Sequence, residues 1–181
     1  MDDLELLIDF HRGSARQGPG GDEETALAVR LAGLEDRKGL KIADIGCGTG
    51  AASRVLARML DAHVTAVDLL PAFLAELEDL NARAGLSDRI TALEASMEDL
   101  PFQDGQFDVI WAEGAIYTMG FKAGVQAWRR FLKPGGVIAV SELTWLTAER
   151  PAELQAHWDA EYPEVDVASA KMPILEQAGY A

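Results

Sequence analysis

Lys41-Ile-Ala-Asp-Ile-Gly-Cys-Gly-Thr-Gly50 is the stretch on which the fold turns. Residues 41–45 read as a short buried strand. The alternating glycines 46, 48 and 50 then let the backbone turn tightly and approach a ligand where a Cβ would clash. A helix follows, with Val55, Leu56, Met59 and Leu60 inward. Downstream the same alternation repeats. His63–Val67 is a second strand, and the next helix opens on Pro71, carries Phe73, Leu77, Leu80 and Ala84 on one stripe, and stops at Gly85. Residues 90–93 and 107–112 are the third and fourth strands. Phe121, Val125, Trp128 and Leu132 mark another helix, and residues 137–141 a fifth strand. Strands alternating with helices predict a doubly wound α/β domain, its parallel sheet covered on both faces by right-handed crossovers. The expected strand order is 3-2-1-4-5, with strand one central because the glycine turn follows it at the switch point.

Upstream, Gly13–Gly21 holds four glycines and a proline. Residues 1–21 are therefore expected to be a flexible segment whose composition suits a lid, and 22–181 a single domain. From Asp22 a helix is expected, with Asp22 as its cap and Leu27, Leu31 and Leu34 on one face. Pro151 to Tyr162 reads as a further helix presenting Leu154 and Trp158 together.

Composition narrows the partners. The 181 residues carry 30 acidic and 16 basic side chains, a net charge of −14. Such a surface repels nucleic-acid phosphates and anionic lipids, so neither is an expected partner. The single cysteine, Cys47, excludes an intramolecular disulfide scaffold. The sequence begins without a charged-then-apolar leader and contains no eighteen-residue apolar run, so a soluble cytoplasmic protein is expected.

The chemistry lies in the acids around the turn. Asp68 ends the second strand 18 residues after Gly50, where a carboxylate can accept hydrogen bonds from both hydroxyls of a ribose. The pair predicts an adenosine-type ligand. Gly46-x-Gly48-x-x-Ala51 formally satisfies the dinucleotide pattern, which keeps a nicotinamide-dependent oxidoreductase among the readings. Asp44 argues the other way. A carboxylate two residues before the first glycine is a poor neighbour for pyrophosphate and a good one for a cation.

Taken with Asp68, Glu98-Asp-Leu-Pro-Phe102 ahead of Phe107-Asp108, and Leu132-Lys-Pro-Gly-Gly-Val137, the segment 44–50 resembles, in order, the motifs of the class I S-adenosylmethionine-dependent methyltransferases, in their small-molecule branch. The resemblance covers about residues 40–145. It implies a Rossmann-like fold, S-adenosyl-L-methionine as cofactor and a small-molecule methyl acceptor. It implies further that Asp44, Gly46, Cys47, Gly48 and Gly50 face the methionine half of the cofactor, that Asp68 and Leu69 lie at the ribose, and that Ser96, Met97 and Glu98 frame the adenine. Ser96 is a departure, since the family often has an acid there. Cys47 reads as a packed residue, not a nucleophile. No metal ligands are expected.

Methyl transfer needs in-line placement and, for some acceptors, removal of a proton. Glu113 and Tyr117, just past the fourth strand, are the expected catalytic helpers, with Glu142 at the end of the fifth a further candidate. Arg16 is placed to meet a carboxylate of cofactor or substrate. The family's sheet usually ends in a strand hairpin beyond the fifth strand, and here that hairpin is apparently missing. A short C-terminus of this kind leaves the fifth strand at an edge, so self-association through that edge or the tail is expected. It also keeps a third reading, a cofactor-binding module without catalysis.

Overall fold

The computed structural model describes residues 6, 10, 11, 14 and 16–180. Much of the stretch read as a flexible leader (1–5, 7–9, 12, 13 and 15) lies outside the described residues.

Five parallel strands form the main sheet: β1 (Leu40–Ile45), β2 (Ala62–Asp68), β3 (Ile90–Glu94), β4 (Phe107–Ala112) and β5 (Leu132–Val140), in the order β3-β2-β1-β4-β5. In register, Asp44 stands beside Ala66 of β2 and Trp111 of β4. β1 is buried at every position except Lys41, the burial expected of a central parallel strand with helices on both faces. Helices α1 (Asp22–Leu31), α2 (Ala51–Met59) and α3 (Pro71–Ala84) cover one face, packing Val29, Leu56 and Leu77 against Ile42, Val64 and Val109. On the other face α4 (Phe121–Trp128) packs Phe121, Val125 and Trp128 over Ile45, Ile110 and Ile116. Each such fully buried side chain contributes about 1.5–3 kcal/mol.

The helical faces differ from expectation in instructive ways. α1 is capped by Gly21, not Asp22, and buries Thr25 and Val29. Leu27 and Leu31 stay 48% and 80% exposed. Leu34 does reach the core, but from beyond the helix, after the chain turns at Gly33. On α2 Met59 is the outward residue. On α3 the buried stripe is Phe73, Leu74, Leu77 and Asn81, with Ala84 exposed and Gly85 closing the helix in the left-handed region. Leu132 belongs to β5, because a 3₁₀ turn over Arg129–Phe131 ends the α4 segment.

After β5 the chain forms a two-stranded parallel pair, β6 (Thr144–Trp145) with β7 (Asp166–Val167), around α5 (Ala152–Glu161), and finishes in α6 (Ala168–Gln177). α5 buries no residue, against the expectation of an apolar face with Leu154 and Trp158. Its apolar residues fall at 152, 154, 156, 158 and 160. That spacing of two scatters them round a helix of 3.6 residues per turn. α6 is the segment that covers the sheet, through Ile174 and Leu175.

Candidate functional site

The carboxyl ends of β1 and β4 meet at the glycine turn. Gly46 and Cys47 both donate their N–H to the Val67 carbonyl, which pins the turn to β2. Gly46, Gly48 and Gly50 all have positive φ, at 74°, 54° and 78°. Their surroundings differ. A Cβ on Gly46 would collide with that of Ala115; one on Gly48 would lie 2.5 Å from Gln17 Oε1; one on Gly50 would lie 2.6 Å from Leu77 Cδ1. Gly50 thus answers to the packing of α3 and begins α2, whereas Gly48 faces a small cavity.

That cavity, about 80 Å³, is lined by Asp44, Gly46, Cys47, Gly48, Ala51, Ala52, Glu113 and Gly114 on the domain side and by Arg16–Pro19 on the other. Asp44 is 1% exposed and its Oδ2 accepts the Ser53 hydroxyl at 2.5 Å. Burial pushes its carboxyl up to about 7, with the charge of Glu113 adding to the rise and Ser53 opposing it. Burial likewise raises the Cys47 thiol well above its ordinary range, so it remains protonated and inert as a nucleophile.

Glu113 is committed to the chain itself. It accepts from Arg16 Nη1 at 2.5 Å, from Thr25 Oγ1 at 2.8 Å and from Trp111 Nε1 at 2.8 Å. Arg16 therefore meets a carboxylate, but that of the residue just past β4, and Glu113, its side chain 17% exposed, already receives three donors from the chain itself. Gln17 does comparable work at the turn. Its Oε1 accepts the Thr49 N–H at 3.1 Å, and its Nε2 donates to Thr49 Oγ1 at 3.0 Å.

Asp68, at the end of β2, accepts the Gly48 N–H on Oδ2 at 2.8 Å and the Leu70 N–H on Oδ1 at 3.0 Å. One carboxylate thus fixes the glycine turn and the backbone of Leu70, the residue before α3. Leu69 beside it is 63% exposed. Ser96 Oγ accepts the Glu98 N–H at 3.2 Å, closing a local turn after β3 with Glu98 exposed. The Met97 carbonyl accepts from Trp128 Nε1, and its side chain lies near Gly46. Tyr117 is 49% exposed in a 3₁₀ turn, edge-on to Tyr162. The structure therefore gathers Asp44, Gly46, Cys47, Gly48 and Glu113 into one cavity, while Gly50, Asp68, Leu69, Ser96, Met97, Glu98 and Tyr117 stand outside its lining. Sequence reasoning missed Gln17, Thr25, Thr49, Ser53 and Trp111. Thr25 carries no local signal, since the leucines at 27 and 31 mark the opposite face of α1 as the inward one.

Among the described residues no group of three or more His, Cys, Asp or Glu is placed to hold a metal ion, and no helix is long and apolar enough to cross a membrane.

A 3-2-1-4-5 parallel sheet with an acid-flanked glycine turn at its switch point defines a Rossmann-like α/β domain. Residues 42–136 match the family model described as Methyltransferase domain, and the chain belongs to that family. It is 36% identical over 140 residues to 27-O-demethylrifamycin SV methyltransferase of Amycolatopsis mediterranei, covering 76% of this chain and 50% of that one. It is 34% identical over 139 residues to glycine/sarcosine/dimethylglycine N-methyltransferase of Actinopolyspora halophila, covering 74% and 24%. The chain spans half or less of the length of these curated relatives. In structure it resembles a SAM-dependent methyltransferase of Thiobacillus denitrificans solved with S-adenosyl-L-homocysteine, with a TM-score of 0.83 at 19% identity over 99% of this chain and 72% of that one. The cyclase SpnF shares the fold too, with a TM-score of 0.78 at 24% identity over 97% and 69%. Fold alone therefore does not name the chemistry.

Proposed function

We propose that the chain is an S-adenosylmethionine-dependent methyltransferase for a small-molecule acceptor. The observation that carries the reading is Asp44, a buried carboxylate at the wall of the glycine-turn cavity with a single hydroxyl partner and its carboxyl raised to about 7. A cationic ligand group completes such a site and a pyrophosphate would not. When bound, the cofactor supplies a methyl group on an already activated sulfonium. In this reading Asp44 and the turn hold its cationic end. Asp68, each of whose oxygens accepts one N–H and keeps a lone pair, holds the ribose, with Leu69 beside it. Met97, Ser96 and Glu98 then form the rim for the base, and Tyr117 borders the acceptor.

The cavity of about 80 Å³ is far below the roughly 300–1,000 Å³ of small-molecule sites. Arg16–Pro19 is thus read as a lid that withdraws to admit the cofactor, with the Arg16–Glu113 pair as its latch. Calorimetric titration with S-adenosylmethionine and then S-adenosylhomocysteine tests the reading. Tight binding of both supports it, and no binding of either overturns it.

Asp44 gives this binding a pH signature. Its folded-state pKa lies above the ordinary 3.8, so between about pH 4 and 7 the folded chain carries a proton that the unfolded chain has lost, and stability falls as pH rises through that window. A cationic ligand prefers the ionised form. Affinity for S-adenosylmethionine is therefore expected to climb by up to about tenfold per pH unit below 7 and to level off above it. Asp44→Asn is expected to bind weakly with a flat profile, and a parent profile already flat from pH 5 to 8 would remove Asp44 from the role.

The edge position of β5 extends the proposal to self-association. An unpaired strand edge is a template for another chain unless covered. Sedimentation at several concentrations is expected to show a dimer or larger species. A monomer at high concentration, with strongly protected amides at 137–140, would sink the idea.

A further inference from the structure

The four buried side-chain N and O atoms left without a hydrogen-bond partner among the described residues are Asn81 Oδ1, Glu142 Oε2, Trp145 Nε1 and Arg150 Nε. Three of them fall within the ten residues that follow β5. Native structures rarely bury polar atoms unpaired, since the hydrogen bonds given up to water are then not replaced. Their concentration at the carboxyl edge of the sheet, where open α/β sheets bind ligands, calls for a cause.

Glu142 is the best defined. Its side chain is 8% exposed. Oε1 accepts from Lys171 Nζ and from the Tyr162 hydroxyl, both at 2.6 Å, while Oε2 has no donor. Lys171 is held in turn over the Phe121 and Tyr162 rings, 4.7 and 5.4 Å from their centroids. The carboxylate is thus fixed by one oxygen with the other in reserve. It also adjoins the cofactor-side cavity. Ser141, the residue before it, accepts the N–H of Gly114, which lines that cavity, and Tyr162 contacts the half-exposed Tyr117 edge-on. The chain beyond it is lightly held as far as Tyr162: no residue of 144–161 is buried, those of α5 included. A segment with so few buried contacts opens at low free-energy cost.

We propose that Glu142 is the acceptor-recognition residue of this methyltransferase, its Oε2 taking a hydrogen bond from an N–H or O–H of the methyl acceptor when residues 144–161 lift and Tyr162 stays in place. The proposal rests on the methyltransferase reading for the term acceptor, though not for the binding itself. Lys171 and Tyr162 are positioning residues that hold Oε1 and so aim Oε2.

Glu142→Gln makes the test, because it keeps a carbonyl oxygen for Lys171 and Tyr162 and can turn the spare acceptor into a donor. Binding of two probes to the full chain, with and without S-adenosylhomocysteine, is measured by calorimetry: sarcosine supplies an N–H and catechol an O–H. The parent is expected to bind at least one probe, and the variant to bind that probe about tenfold or more weakly. Affinity for S-adenosylhomocysteine should stay close to the parent's, while the melting temperature falls because the buried Lys171 loses its countercharge. The probe that responds distinguishes amine from hydroxyl acceptors. Equal probe affinity in parent and variant overturns the proposal, and so does a parent that binds neither probe. A loss of cofactor affinity equal to the loss of probe affinity would also overturn it, by giving Glu142 a structural role. Failure of S-adenosylhomocysteine to bind the parent counts against the methyltransferase reading instead, and the probe titrations without it still decide the role of Glu142.

Discussion

A Gly48→Val chain is expected to lose more than about a hundredfold in affinity for S-adenosylmethionine while its far-ultraviolet circular dichroism stays near the parent's. The backbone at Gly48 has φ of 54°, a region where a β-branched residue costs about 1–3 kcal/mol. The added Cβ would stand 2.5 Å from Gln17 Oε1, and the two methyl groups would extend beyond it into a cavity of about 80 Å³. Gln17 would have to give up Thr49, and the ligand would lose both space and a preformed turn. A hundredfold is about 2.7 kcal/mol, so either cause nearly suffices alone. The fold should survive because the obstruction lies toward a side chain of the lid. Gly46 and Gly50 differ, since a Cβ there meets Ala115 or the fully buried Leu77, and substitution should damage packing before it touches a ligand. Calorimetry on Gly48→Val decides. Parent-like affinity would mean that the turn does not face the cofactor.

The sheet was legible because parallel strands buried on both faces are short continuous apolar runs. Strand order followed from the position of the glycine turn. Helical faces were harder. In α1 the leucines at 27 and 31 look like a core stripe, yet the helix is rotated so that Thr25 reaches Glu113, 88 residues away, and Val29 packs with it. Nothing local in the sequence records that pairing. The contact of Gln17 with Thr49, 32 residues apart, is equally silent. The turn residues of the candidate site were readable because glycine at positive φ and an acid at a strand end impose their own spacing. The partners that occupy them come from the N-terminal segment, whose composition indicated a lid and, among its residues, only Arg16 as a contact. β6, β7 and α6 left no clear pattern either. Two-residue strands have too little sequence for a period, and α6 carries Pro173 in its interior.

Glu113 carries the second large effect. Read from the sequence it is a catalytic helper, and a helper replaced by Gln should lose turnover while the fold and cofactor affinity stay intact. The geometry predicts otherwise. The carboxylate receives a guanidinium, a hydroxyl and an indole N–H, with Arg16 only 14% exposed and Thr25 and Trp111 each about 1% exposed. Glu113→Ala strands those donors, and leaving buried donors unsatisfied is expected to cost about 2–4 kcal/mol, discounted for the partial exposure of the ion pair. For a chain of this size that lowers the melting temperature by about 5–15 °C. Glu113→Gln keeps an oxygen for Trp111 and Thr25 but loses the charge opposite Arg16, so its melting temperature should fall between those of the parent and the alanine variant. Both variants release Arg16 from the residue after β4, and with it the latch of a lid that must withdraw to admit the cofactor, so stability should fall while cofactor affinity holds or rises. Thermal melts and calorimetry on the three chains separate the two roles. If Glu113→Gln melts with the parent and binds cofactor equally well while methyl transfer collapses, Glu113 is the proton acceptor that its place after β4 first indicated. If stability falls and affinity does not, its work is to hold the N-terminal segment against the sheet.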